Sequence, residues 1–230
     1  MNNGIIILDF GSQYNQLIGR RIREMGVYSE ILPFNTPLET ILEKQPKGII
    51  LSGGPSSVNA ENAHLIQKEL YEQGIPVLGI CYGMQLTAHL LGGKVHKGVK
   101  GEYGKAHLEI VKESSLLKGV TNNSIVWMSH FDEVGQLPAG FELNAQSGVI
   151  ASISNEDKKI YCVQFHPEVS HTEEGVFTDK RTYQLVKDFI ENNKVQKIGD
   201  EYVVYKDSDS LRQFDFELAL MSRICQNKGL

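Results

Sequence analysis
From residue 5 to residue 91, short apolar runs alternate with stretches of helical periodicity, and this alternation narrows the fold more than any other feature of the chain. The pattern predicts strands over 5–8, 28–32, 48–51 and 77–80, and helices over 13–25, 38–44, 63–73 and 84–91. Strands and helices at this spacing imply βαβ units and a mostly parallel sheet. Right-handed crossovers then lay helices on both faces. Ligands of such sheets bind beyond the carboxyl ends of the strands. Asp9, Ser52 and Cys81 stand at three of those ends, so the pattern predicts that they share one crevice.

From Lys94 the texture changes. Residues 106–111, 125–128, 141–145, 149–154 and 160–165 read as strands joined by short turns, an antiparallel extension of the same sheet. The expected fold class is α/β: an open, mostly parallel sheet with helices on both faces plus that extension. Towards the end, 180–192 and 211–225 have helical periodicity and 202–205 reads as a short strand. Leu211, Phe214, Leu218, Met221 and Cys225 recur at three- to four-residue steps, the better apolar stripe of the two.

The stretch Gly79-Ile-Cys-Tyr-Gly83 joins a predicted strand to a predicted helix, with Cys81 at its apex. Glycines on either side relieve backbone restrictions that a Cβ imposes. Such an elbow lifts a nucleophile off the sheet and sets it at a helix N-terminus, where partial positive charge favours a thiolate. A buried thiol closing a strand is the other reading of this pentapeptide alone. A cysteine nucleophile needs a base, and the base needs an orienting group. His166-Pro167-Glu168 supplies both, directly after a predicted strand. Residues i and i+2 of an extended backbone project to one side, and Pro167 pushes His166 towards extended geometry. Glu168 can then fix the tautomer of His166 and stabilise its cation. A turn-capping histidine beside a solvated carboxylate is the alternative. His130, in Trp127-Met-Ser-His-Phe-Asp132, is expected in a polar turn after a strand.

Leu51-Ser-Gly-Gly-Pro55 also follows a predicted strand. Consecutive glycines expose backbone N–H groups that can bind an oxyanion. A phosphate loop would need a lysine that is absent here. An oxyanion loop fits better, with a plain tight turn as the other reading.

Composition removes several function classes. Net charge is −5, from 23 basic and 28 acidic residues, with no basic block, which argues against a nucleic-acid partner. No apolar run reaches the roughly 18 residues of a membrane span, and the N-terminus lacks the positive flank of a signal peptide. The 3 cysteines, Cys81, Cys162 and Cys225, are odd in number and far apart, as expected in a reducing cytoplasm. Neither CxxC nor HExxH occurs, so no metal site is expected.

Four separated segments agree with one family. Gly79-Ile-Cys-Tyr-Gly-Met-Gln85, Leu51-Ser-Gly-Gly-Pro55, Trp127-Met-Ser-His130 and Gln164-Phe-His-Pro-Glu168 resemble the class I (triad) glutamine amidotransferases, whose sheet is flavodoxin-like. Asp9-Phe-Gly-Ser-Gln-Tyr14, Gln16-Leu-Ile-Gly-Arg-Arg21 and Val169-Ser-His-Thr-Glu173 are similar to the glutaminase branch associated with GMP synthase. The resemblance covers about residues 4–175. It implies Cys81 as nucleophile, His166 as acid/base and Glu168 as orienter. It implies the N–H groups of Gly54 and Tyr82 as oxyanion hole, and Gln85 with the main chain near Ser129 and Phe131 as glutamine contacts. The implied reaction is glutamine hydrolysis through a cysteine thioester. Its ammonia would pass to an ATP-pyrophosphatase domain or subunit that aminates XMP to GMP, with ATP and Mg²⁺ on that partner and no cofactor in this chain. A glutaminase of an anthranilate, aminodeoxychorismate or carbamoyl phosphate synthase, and a non-catalytic glutamine sensor, are the alternatives. Phe131 departs from the family's pattern, which has Gly there. The expected division is a core over 1–175 and an insertion or extension over 176–230, with a closing helix packed on the same domain.

Overall fold
The structure, a computed structural model, describes residues 4–174, 195–198 and 201–204. Its first half follows the alternation of the sequence: β1 (Ile5–Asp9), α1 (Asn15–Glu24), β2 (Ser29–Pro33), α2 (Leu38–Glu43), β3 (Gly48–Leu51), β4 (Val77–Ile80) and α3 (Tyr82–Leu90). The second half holds β5 (Lys94–His107), β6 (Glu109–Ile110), β7 (Ile125–Gln136), β8 (Glu142–Gln146), β9 (Ile150–Asn155) and β10 (Ile160–Val163). A hairpin of β11 (Val195–Ile198) and β12 (Glu201–Val204) stands where the short strand over 202–205 is expected. The helices expected over 180–192 and 211–225 lie outside the described residues.

One sheet of 8 strands runs in the order β2-β1-β3-β4-β10-β9-β8-β6. From β2 to β10 every pairing is parallel, and β9, β8 and β6 continue antiparallel. Because side chains alternate along a strand, each apolar run feeds two cores. Ile6 and Leu8 join α2 and α3 residues on one face, while Ile5 and Ile7 pack with Ile18 and Ile22 of α1 on the other. Full burial of each contributes about 1.5–3 kcal/mol, which explains why these strands read as unbroken apolar runs.

Three expectations need correction. Residues 106–111 and 125–128 are not both strands of the extension. Residues 106–107 close β5 and 125–128 open β7, which pair with each other in a two-stranded ribbon of their own, while 109–110 form β6 and do extend the main sheet antiparallel to β8. Strand β7 keeps its period of two through Val126, Met128, His130 and Val134, all buried, so His130 lies within a strand and not in a turn. The helix expected over 63–73 shrinks to a 3₁₀ segment, Lys68–Glu72. Tertiary partners claim the residues before it. The Tyr82 hydroxyl donates to the His64 carbonyl, the His64 ring stacks on Phe34, and the Gln67 side chain accepts from the Leu38 N–H.

Candidate active site
The elbow between β4 and α3 places Cys81 at φ +52°, ψ −105°, a region that non-glycine residues enter only when their surroundings hold them there. The Cys81 N–H donates to Val163 O at 2.8 Å, and its carbonyl accepts from Met84 and Gln85. The flanking glycines serve space, not φ. A Cβ on Gly83 would lie 2.2 Å from Leu51 O, and one on Gly79 would lie 2.6 Å from Gly83 O. Close packing of elbow on sheet demands glycine at both, while the cysteine itself takes the unusual torsion.

His166 lies just beyond β10. Its N–H donates to Trp127 O of β7 at 2.9 Å, and its carbonyl accepts from the Thr172 hydroxyl at 2.7 Å. Thr172 Oγ1 in turn accepts from the Trp127 N–H at 3.0 Å. From the opposite side Arg21 of α1 donates to Glu168 O at 3.3 Å. The sequence His-Pro-Glu is thereby pinned between ribbon and helix. His166 Nδ1 meets Glu168 Oε1 at 2.8 Å, with both side chains almost wholly buried. Tyr14 packs edge-wise on the imidazole, ring centroids 5.2 Å apart.

Burial alone would favour neutral imidazole. Hydrogen bonds to Cys81 and Glu168, with the attraction of both, outweigh it and hold the His166 pKa up at about 10. With Nδ1 engaged by Glu168, Nε2 is the ring nitrogen left for the thiol. Cys81 Sγ also lies 3.5 Å from the Ser129 carbonyl. The other described thiol differs: burial pushes Cys162 up to about 12, which leaves it protonated and inert.

Cys81 and His166 open into a cavity of about 450 Å³, bounded also by the loop Gly11–Tyr14, by Gly54 and Ser57, and by the β7 residues Ser129 to Asp132. Of the strand ends at Asp9, Ser52 and Cys81, which the sequence pattern assigns to one crevice, Cys81 alone lines this cavity, and the other two hold the loops around it. Asp9 Oδ1 accepts from the Gly11 N–H and the Asn15 side chain, shaping the loop before α1. Ser52 is fully buried beneath the cavity, where Oγ accepts from Phe10 N and donates to Gly53 O. Its carbonyl accepts from Gly83 N at 3.1 Å, tying the glycine loop to the elbow.

Gly54 lies in the glycine loop and Tyr82 in the elbow, the two segments that the Gly83 N–H to Ser52 O bond ties together. Tyr82 opens α3, so its N–H has no acceptor within the helix. Among the described residues neither N–H finds another backbone or side-chain acceptor. Gln85 lines the cavity, yet its amide donates to Asp132 O at 2.7 Å and to Gln164 Oε1 at 3.2 Å, so it also anchors the β7 wall. Phe131 is exposed where it lines the cavity, with the Lys97 ammonium 5.2 Å from its ring centre. The ribbon register jumps from Lys97–Asp132 to Glu102–His130, so Phe131 faces a bulge and its main chain lies outside the regular ladder. His130, buried across from Glu102, is held below the usual histidine range by burial, against the pull of that carboxylate.

Several site residues escape sequence reasoning. Asp132 carries the only carboxylate among the cavity's lining residues, and Ser57 hydrogen-bonds it. Ser12, Tyr14 and Thr172 belong to segments that carry the family resemblance, yet only the fold shows Tyr14 and Thr172 touching His166 and Ser12 lining the same cavity.

A strained cysteine elbow beyond a parallel sheet, opening into the same cavity as a buried histidine–carboxylate pair, is an arrangement suited to chemistry by a cysteine nucleophile. The comparisons specify which. A sequence model described as glutamine amidotransferase class-I matches residues 6–183, and the chain belongs to that family. A Caldicellulosiruptor saccharolyticus protein named GMP synthase (glutamine-hydrolyzing) is 54% identical over 190 residues, covering 82% of this chain and 36% of that protein. Its Aquifex aeolicus namesake is 56% identical over 198 residues, covering 85% and 38%. The chain thus spans little more than a third of the length of the curated relatives it matches. Among solved structures, a Thermoplasma acidophilum protein described as a component of GMP synthase superposes with a TM-score of 0.75 at 29% identity, covering 82% of this chain and 96% of that one.

Proposed function
We propose that the chain hydrolyses L-glutamine to glutamate and ammonia, and that the ammonia serves an ATP-pyrophosphatase domain or subunit converting XMP to GMP. The observation that carries the first part is the buried Cys81–His166–Glu168 array at the floor of a cavity, with the unpaired N–H groups of Gly54 and Tyr82 beside it. The second part rests on the names of the relatives. In this reading Cys81, as thiolate, attacks the side-chain amide carbon of glutamine. The carbonyl oxygen takes the negative charge and is met by the Gly54 and Tyr82 N–H groups, an interaction stronger in the transition state than in the bound substrate. His166 gives its proton to the departing nitrogen, ammonia leaves, and a γ-glutamyl thioester remains. His166, now neutral, draws a proton from water. The hydroxide attacks the thioester, and Cys81 departs as thiolate. Glu168 holds the ring throughout and favours its cation.

The amino-acid end of glutamine has matching groups. The Asp132 carboxylate suits the α-ammonium, and the Phe131 main chain, outside the ladder, has hydrogen-bonding capacity to offer. Gln85 supports that wall from beneath. Every group this reaction needs is a protein group, so the chain requires no cofactor, and ATP and Mg²⁺ belong to the partner. Among the described residues no helix is long and apolar enough to cross a membrane. The reaction needs Cys81 as a free thiol, which fits a reducing cytoplasm.

The substitution Cys81→Ala tests the proposal in the assembled synthase. Glutamine-dependent GMP formation should vanish and ammonia-dependent formation should persist. Surviving glutamine-dependent synthesis would refute the thioester route. Loss of both activities would refute the division of labour.

A further inference from the structure
We infer that Tyr82, Phe10, Phe34 and His64 form a closed aromatic brace that positions both oxyanion donors, with the Tyr82 hydroxyl as the bond that closes it. The inference rests on the glutaminase reading above and adds positioning residues to it. The Tyr82 ring packs on Phe10 with centroids 5.3 Å apart, Phe10 stacks on Phe34 at 5.7 Å, and Phe34 stacks on His64 at 4.3 Å. The circuit returns to its start because the Tyr82 hydroxyl donates to His64 O at 3.0 Å. Phe10 also carries the other donor: a Cβ on Gly54 would lie 2.4 Å from Phe10 O and 3.1 Å from Phe10 Cβ, so the Gly54 backbone rests directly on this residue. Phe10 and Tyr82 are almost completely buried. Two peptide units far apart in sequence thereby share one rigid neighbour.

The hydroxyl is the informative atom. A phenylalanine at 82 would fill the same space, so packing alone does not require the oxygen. Its partner is a main-chain carbonyl of the segment that the sequence pattern assigns to a helix and the fold leaves without one. Tyr82 adjoins Cys81, whose strained torsion persists only while its neighbours are held. Burial pushes the Tyr82 phenol's pKa up, so it stays a donor.

Two alkylating agents separate positioning from general loosening. A glutamine chloroketone first adds the Cys81 thiolate to its carbonyl, placing an alkoxide at the oxyanion donors; sulfur then bonds to the CH₂ carbon as chloride leaves, its bond to the carbonyl carbon breaks and the C=O re-forms. Iodoacetamide alkylates the same thiolate by direct displacement of iodide and develops no oxyanion. In Tyr82→Phe, chloroketone inactivation should slow about 3- to 10-fold, well short of the ~10²–10³ of losing a donor outright. Iodoacetamide labelling, peptide-mapped to Cys81, should stay within about twofold of the parent rate. His64→Ala should show the same selective loss, and His64→Phe, which keeps the stack, should restore it. Equal rates with both reagents, or a parallel loss with both, would overturn the brace. Chloroketone labelling of the parent protein at a residue other than Cys81 would overturn the glutaminase reading itself.

Discussion

At the scale of single residues, His166 is where opposing forces meet and the attractive ones win. Burial disfavours its cation, and contacts to Cys81 and Glu168 restore it. A pKa near 10 means that at neutral pH the residue can hold a proton for the leaving nitrogen. Activity should therefore fall on the alkaline side as pH approaches 10. Glu168→Gln should move that limb to lower pH and reduce kcat on the order of 10²–10⁴-fold. An unmoved alkaline limb in a kcat–pH series would remove Glu168 from its assigned role. The three residues of the array were legible in the sequence because each carries a signal within a few positions: glycines around Cys81, proline between His166 and Glu168. Asp132 and Tyr14 were not, because their relevance depends on which loops the fold brings together.

At the scale of elements, the His-Pro-Glu turn is held by a strut rather than by its own conformation. Thr172 Oγ1 bridges His166 O and Trp127 N. Thr172→Val would leave a buried carbonyl and N–H without that partner, at about 1–3 kcal/mol. Chemical denaturation should show the loss, and Thr172→Ser should recover most of it. Equal stability of parent and valine variant would contradict the strut. The parallel strands were readable from apolar runs because both of their faces are buried. The ribbon was not: the polar string Ser129-His130-Phe131-Asp132 resembles a turn until Glu102 opposite His130 and the bulge opposite Phe131 are seen. The lost helix over 63–73 has a similar cause. Tyr82, Phe34 and Leu38, all distant in sequence, outcompete local propensity there.

At the scale of the whole molecule, the site couples stability to pH. The folded-state pKa of His166 lies above the ordinary value of 6.5. Its contribution to stability is therefore fully present below about pH 6.5 and is lost as pH rises through about 10. Unfolding free energy measured across that range should decline with pH, and His166→Gln should flatten the decline. A parallel decline in parent and variant would assign the effect elsewhere. The fold class follows from the alternation in the first half of the chain, while assignment to a synthase depends on relatives that extend well beyond this chain's length.

The central claim is that Cys81 forms a γ-glutamyl thioester, and intact-protein mass spectrometry after rapid acid quench tests it most directly. Protein mixed with glutamine should gain the mass of one glutamyl group, located by peptide mapping at Cys81 and absent from Cys81→Ala. Turnover of glutamine with no such adduct, or an adduct on any other residue, would contradict the account.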